Sequence, residues 1–131
     1  QPILQQASDE IVRDVAELPG GTRLTVMAPM VRGRVGGHRD VLEAIAKAGL
    51  VKARVDGEFL DIEDRPPLAP TRRHTIEAVC DRIVVRPDSA ARIQIAVDLA
   101  LQLASGLVSI HAILPPQADA AAGTEVRERI Y

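Results

Sequence analysis

The sequence predicts an α+β fold: a small mixed or antiparallel sheet with about three helices packed mainly on one face. Segments with helical spacing of apolar residues and segments of alternating polarity follow one another in the order α-β-α-β-β-β-α-β. Asp56-Gly57, placed between two alternating segments, is typical of a tight β-hairpin. The chain has 131 residues, 47% of them hydrophobic, which suits one domain with a substantial core.

The first half of the chain predicts two helices, each followed by a strand. Residues 8–18 place their apolar side chains on one helical face, and Ser8 is the expected N-cap. An apolar strand is expected at 22–30, and the arginine- and glycine-containing segment 32–37 is expected to be a flexible basic loop. The second helix is expected at 39–48.

The second half predicts a hairpin, a loop, a long strand, a helix and a final strand. Pro66, Pro67 and Pro70 exclude the loop from any central strand. The wide apolar stripe of the last helix predicts that the sheet covers most of it. The expected bounds are strands at 51–56 and 58–62, a loop at 63–73, a strand at 75–85, a helix from 88 or 89 to 104, and a strand at 107–114.

Several classes of function find no support in the sequence. Gly33, Gly36 and Gly37 match no phosphate-binding motif, and the histidines have no metal-ligand spacing. No local signature of a nucleophile-base pair is present, so an unknown small enzyme ranks last. Cys80, the single cysteine, is expected to be a buried small hydrophobe in a cytoplasmic protein. No apolar run approaches the ~20 residues of a membrane span.

The distribution of charge favours a polar contact with another protein. The net charge is −2, but residues 32–86 carry 11 basic and 9 acidic residues, and each flank is net negative. Asp81-Arg82 interrupts an apolar strand, which indicates either edge-strand protection or recognition of a partner. Arg72-Arg73 is either a solvated loop end or a contact with an acidic partner or DNA phosphate.

Two long segments resemble one protein family. They are APMVRGRVGGHRDVLEAIAKAGLVKARVDGEF and RRHTIEAVCDRIVVRPDSAARIQIAVDLALQLASGLV, with the similar SDEIVRDVAELPGGTRL before them. They resemble the domain of the UvrA subunit of bacterial nucleotide excision repair that binds UvrB. The resemblance covers about residues 5–113. It implies a UvrB-binding domain over 1–114, with a linker and the start of the next segment of a longer parent protein over 115–131.

The resemblance also implies what the domain binds. The family is a dimeric ATPase that detects damaged DNA and loads UvrB, and its nucleotide motifs and zinc cysteines lie outside this stretch. We therefore expect neither catalysis nor a bound cofactor or metal in this fragment, with ATP and zinc confined to the parent family. The family uses charged strand residues to hold UvrB. By position these are Lys52 and Arg82, with Arg54, Asp56, Glu77 and Asp81 as neighbours.

The chain departs from the family pattern at a few positions. Lys52 stands where the family usually has arginine, so it lacks the bidentate fork of a guanidinium. Ala53 and Ala78 replace larger residues.

A second hypothesis is direct contact with DNA. Its candidate residues are Arg32, Arg34, Arg72 and Arg73.

Overall fold

The structure is a computed structural model that describes residues 2–64, 67–116 and 125–131, and the side chains from Ser8 onward except that of Asp64. Within these ranges it contains three α-helices, six strands and one 3₁₀ turn. The helices are α1 (Pro2–Ala16), α2 (Arg39–Lys47) and α3 (Ala90–Leu103). The strands are β1 (Arg23–Val35), β2 (Lys52–Val55), β3 (Glu58–Asp61), β4 (Arg73–Val84), β5 (Ser109–Ile113) and β6 (Val126–Ile130).

The strands form a single sheet in the order β3-β2-β4-β1-β5-β6. Every pairing among them is antiparallel, which confirms the predicted α+β class. Two long strands, β1 and β4, lie at the centre, and β3 and β6 are the edges. None of the described helices has the length and apolar character needed to cross a membrane.

The hydrophobic core lies between the three helices and one face of the sheet. Alternate residues of the strands supply the sheet side, among them Leu24, Val26 and Ile76. The helices supply Val15, Leu42, Ile45, Ile93 and Val97, all buried in the same cluster. Aliphatic side chains therefore fill this core, as the near absence of aromatic residues requires.

Helix α1 begins earlier than the sequence predicted. Pro2 is the first helical residue, a position where its missing N–H costs nothing, so the helix starts well before Ser8. The N-cap assignment of Ser8 was wrong. Ser8 is an interior residue of α1, and its side chain is buried, with the hydroxyl donating a hydrogen bond to the Asp98 carboxylate of α3.

The predicted flexible loop at 32–37 is also corrected. Strand β1 continues to Val35, with irregular pairing between Val31 and Arg34. Gly33 absorbs the irregularity with a φ of 63°, and its N–H donates to the Thr75 hydroxyl at 3.1 Å. The arginines of this segment are therefore held on a strand.

The predicted hairpin is confirmed. Asp56 and Gly57 have φ values of 51° and 89°, as a tight turn between β2 and β3 requires. The structure adds β6, a strand that the sequence did not predict, along β5. Pro66 and most of the expected linker, 117–124, lie outside the described residues. The division of the chain at residue 114 stays a prediction.

Candidate protein-interaction surface

The sheet face opposite the helices carries most of the charged strand residues, and we call it the polar face. Strand alternation and register place on it Lys52, Arg54, Phe59, Glu77, Arg82, His111 and Glu128. Met27 and Val79 also lie on this face and are buried, although neither belongs to the main core. Something other than the helices must therefore cover the middle of this face.

The curvature of the sheet supplies that cover. The pairing of β1 with β4 shifts register at three places, and such irregularities bend a sheet and increase its twist. As a result the side chain of Arg54 on β2 reaches Glu128 on β6, although three strands lie between β2 and β6. The polar face is therefore concave, and its centre is shielded by its own side chains.

Arg54 joins two carboxylates on this face. Its Nε donates to Glu77 Oε1 at 2.7 Å and its Nη1 donates to Glu128 Oε1 at 2.7 Å. The Arg54 and Glu77 side chains are only 13% and 8% exposed. The Glu128 hydrogen bond is the main cause of the raised pKa of Arg54, and the same bond lowers the pKa of Glu128. This charge cluster is thus internally satisfied.

Lys52 and Arg82 have a different environment. Lys52 is exposed and lies 3.5 Å from Asp61, its cross-strand neighbour. Arg82 is exposed, and its guanidinium carbon lies 4.8 Å from the centroid of the Phe59 ring. Among the described residues no carboxylate pairs with Arg82. These two cations are therefore available to a partner.

Asp56 and Asp81 lie away from this face. In the β2–β3 turn, Asp56 pairs with His74 at 2.6 Å, and its Oδ1 accepts the N–H of Thr75. The carboxylate of Asp81 accepts two hydrogen bonds from Arg92 of α3, which lower the pKa of Asp81. Both carboxylates hold elements of the domain together. The predicted site therefore divides into two exposed cations, Lys52 and Arg82, and four residues that bond within the domain and stabilise it.

Comparisons with known proteins identify the family of this chain. The family model described as the UvrA interaction domain matches residues 6–113. The chain belongs to the UvrA interaction domain family. It is 43% identical over 85% of its length to UvrABC system protein A of Clostridium tetani, 38% over 90% to that of Haemophilus influenzae, and 38% over 98% to that of Rhizobium meliloti. The match confirms the predicted family.

The chain spans a small part of these relatives, about 12% of the first two and 14% of the third. In this UvrA interaction domain no group of three His, Cys, Asp or Glu residues among those described is placed to hold a metal ion.

The four arginines predicted as possible DNA contacts come together at one end of the sheet. The β1–β4 register pairs Arg34 with His74 and Val35 with Arg73, while Arg72 accepts the N–H of Gly36 through its carbonyl. Arg73 also donates to the Gly33 carbonyl at 3.0 Å. The two pairs are far apart in sequence, and the strand register brings them to the same end of the sheet. Cross-strand partners share a face and successive residues alternate, so Arg34 and Arg73 point to opposite faces there.

Sequence reasoning missed three features of this UvrA interaction domain. Phe59 was assigned only to a hairpin strand, whereas it stands beside Arg82 on the polar face. Arg23 was unremarkable in sequence, but its cross-strand partners Val84 and Ile113 place it on that face. Glu128 lies in the tail, whose strand carried no recognised pattern. The alternation of charged and apolar residues in VRERI was the one available signal.

Proposed function

We propose that this domain docks UvrB within the UvrABC system of nucleotide excision repair, and that the longer parent protein thereby loads UvrB at damaged DNA. The observation that supports it best is the exposure of Lys52 and Arg82 on the polar face, with no carboxylate of the described residues bonded to Arg82. The family match supports a role in the UvrABC system, and the exposed charges support an electrostatic contact with the partner.

The mechanism is electrostatically complementary docking. Arg82 is preorganised because it stacks on Phe59. Its long side chain has fewer conformations in the free domain and therefore loses less conformational entropy on binding. A guanidinium in this position offers two parallel donors to a carboxylate of UvrB. Lys52 adds a second, less directional charge. Arg54 and Glu77 support the surface from beneath and are not direct contacts in this proposal.

The test is a calorimetric titration of UvrB into the domain and its variants. Arg82→Glu is expected to weaken binding by about 2 kcal/mol or more, because it removes a charge-assisted contact and introduces repulsion. Arg13→Glu is the matched control, since Arg13 is exposed on α1 and lies in the helical layer. Equal affinity of the folded Arg82→Glu variant and the wild type would refute the assignment of Arg82.

A second candidate function is direct contact with DNA by the arginines at this end of the sheet, Arg32, Arg34, Arg72 and Arg73. The observation that favours it is that the β1–β4 register brings Arg34 and Arg73, which are far apart in sequence, to the same end of the sheet. Phosphate contacts release counterions, so four of them predict a logarithmic salt slope of roughly −3 to −4. Arg34→Gln with Arg73→Gln is expected to reduce that slope by about 2. Absence of duplex binding at low salt would exclude this candidate.

A further inference from the structure

A groove crosses one end of the polar face beside Arg82. Its volume is about 430 Å³, within the usual range for ligand sites. Phe59, Val84 and Ile113 provide its apolar surface, and Arg23 and Arg82 stand on its walls. Phe59 is 40% exposed and Val84 is 39% exposed, so the apolar part of the groove is open to solvent.

The apolar surface and the cations are interleaved. Val84, Arg23 and Ile113 lie side by side on β4, β1 and β5, and Thr25 with Arg82 forms the next cross-strand pair. Arg23 and Arg82 are consequently diagonal neighbours on adjacent strands, a placement that separates Cα atoms by about 7–8 Å. A ligand in the groove would therefore meet two arginines beside its apolar surface.

The charged side chains that line the groove, Arg23 and Arg82, are both positive. The lining also includes His111 but no carboxylate. In the part of the chain that the structure describes, neither Arg23 nor Arg82 forms an ion pair. Arg54, by contrast, is bonded to two carboxylates only a few residues away on the same sheet. The groove thus retains uncompensated positive charge next to exposed hydrophobic surface.

We propose that this groove binds an extended segment of the partner in which one aliphatic side chain is flanked by carboxylates. The aliphatic group packs on Phe59, Val84 and Ile113, and the flanking carboxylates pair with Arg23 and Arg82. This inference rests on the proposed docking of UvrB and adds an apolar anchor to it. Phe59 and Arg23 become determinants of partner specificity.

The first experiment measures the affinity of UvrB for the domain carrying Phe59→Ala or Arg23→Gln. Each is expected to lower the affinity roughly tenfold, as truncation of a central anchor does. Ile95→Ala is the matched control for Phe59, because Ile95 is 71% exposed on α3. If the wild type binds UvrB and both groove variants bind equally well, the groove assignment is overturned while docking stands.

The second experiment does not depend on UvrB. A peptide Asp-Glu-Leu-Glu-Asp and its serine analogue Asp-Glu-Ser-Glu-Asp are titrated into the domain, and NMR shifts are followed at Val84, His111 and Ile113. The leucine peptide is expected to shift these resonances at lower concentration than the serine peptide. Equal behaviour of the two peptides, or stronger shifts with duplex DNA, would overturn the proposed ligand chemistry.

The two experiments separate the two proposals. If UvrB fails to bind the folded wild type, the proposed function fails, and the peptide titration still decides the groove. A leucine-selective peptide response in that case supports the groove as a site for another acidic partner. A response that persists unchanged in the Phe59→Ala variant would contradict the role of Phe59.

Discussion

Arg54 and Glu128 are 74 residues apart in sequence, and their side chains meet at 2.7 Å across the concave polar face. Arg54 belongs to β2, near one edge of the sheet, while Glu128 belongs to β6 at the opposite edge. The same guanidinium bonds the buried Glu77 of β4. One side chain therefore links three strands and stabilises the curvature that brings them together.

Removal of Arg54 is expected to be more damaging than removal of Glu128. Arg54→Met leaves the Glu77 carboxylate buried without its cation, and such a loss costs about 3–5 kcal/mol of folding stability. Glu128→Gln removes a partner that is 42% exposed, so the expected cost is below about 1 kcal/mol. Urea denaturation of both variants measures the two differences.

The double variant Arg54→Met with Glu77→Leu is the control for this interpretation. It removes both buried charges, so it is expected to be more stable than Arg54→Met alone. A double variant that is as unstable as the sum of the two single variants would show that the charges are not coupled.

The His74–Asp56 pair predicts a specific dependence of stability on pH. Protonated His74 donates from Nδ1 to Asp56 at 2.6 Å and from Nε2 to the Ala69 carbonyl at 2.8 Å. The Asp56 hydrogen bond is the main cause of the raised pKa of His74, and the same bond lowers the pKa of Asp56. Arg72 opposes the shift of His74, and the His38 ring lies edge-on at 6.1 Å.

The directions of the two pKa shifts determine the pH range over which this pair stabilises the fold. A raised histidine pKa stabilises the fold fully below the ordinary value of 6.5, and this contribution disappears as pH rises through the folded pKa. A lowered aspartate pKa stabilises the fold above the ordinary value of 3.8, and this contribution disappears as pH falls through the folded pKa. Stability is therefore expected to decline above pH 6.5 because of His74.

Chemical denaturation at a series of pH values tests this window. His74→Gln is expected to be less stable than the wild type at pH 6 and to lose the decline at higher pH. His111→Gln is the matched histidine control and is expected to keep it. A decline that survives in His74→Gln would assign the effect to another group.

Asp81 and Arg82 are adjacent in sequence but are expected to differ in function. Asp81 accepts hydrogen bonds from Arg92 on the helical side, whereas Arg82 stacks on Phe59 on the polar face. Asp81→Asn is therefore expected to leave UvrB affinity within about twofold, with a stability cost below about 1 kcal/mol because Arg92 is 62% exposed. Calorimetry and urea denaturation of the same sample measure both. A large loss of affinity without loss of stability would place Asp81 in the interface.

Cys80 is expected to be chemically inert in the folded domain. Burial is the main cause that raises the pKa of its thiol from 9.0 to about 12, so the thiolate is scarce at pH 8. Labelling with iodoacetamide is expected to be slow in buffer and fast in denaturant. Rapid labelling of the folded chain would show that the strand around Cys80 opens readily.

Local patterns were sufficient for most of the fold. The Asp56-Gly57 turn, the apolar stripe of α3 and the alternation of β4 each depend on neighbouring residues, and each predicted its element. The predicted bounds of α1 and β1 were wrong for two reasons. Pro2 begins a helix as readily as it ends one, and Gly33 allows a strand to continue through an irregular pairing.

The site was less accessible to sequence reasoning. Strand alternation predicted Lys52 and Arg54 on the face of β2 opposite Ala53 and Val55, as the structure has them, but only the curvature decides that Arg54 is shielded while Arg82 remains exposed. The Phe59–Arg82 contact and the Arg54–Glu128 bond join residues far apart in sequence, and no local period encodes such contacts.

The most direct test of the account is a calorimetric titration of UvrB into the wild-type domain and the Arg82→Glu variant, at low and moderate salt. UvrB is expected to bind the wild type with an affinity that weakens with salt, and the folded variant is expected to bind at least about thirtyfold more weakly. Equal binding by both proteins, or no binding by the folded wild type, would contradict it.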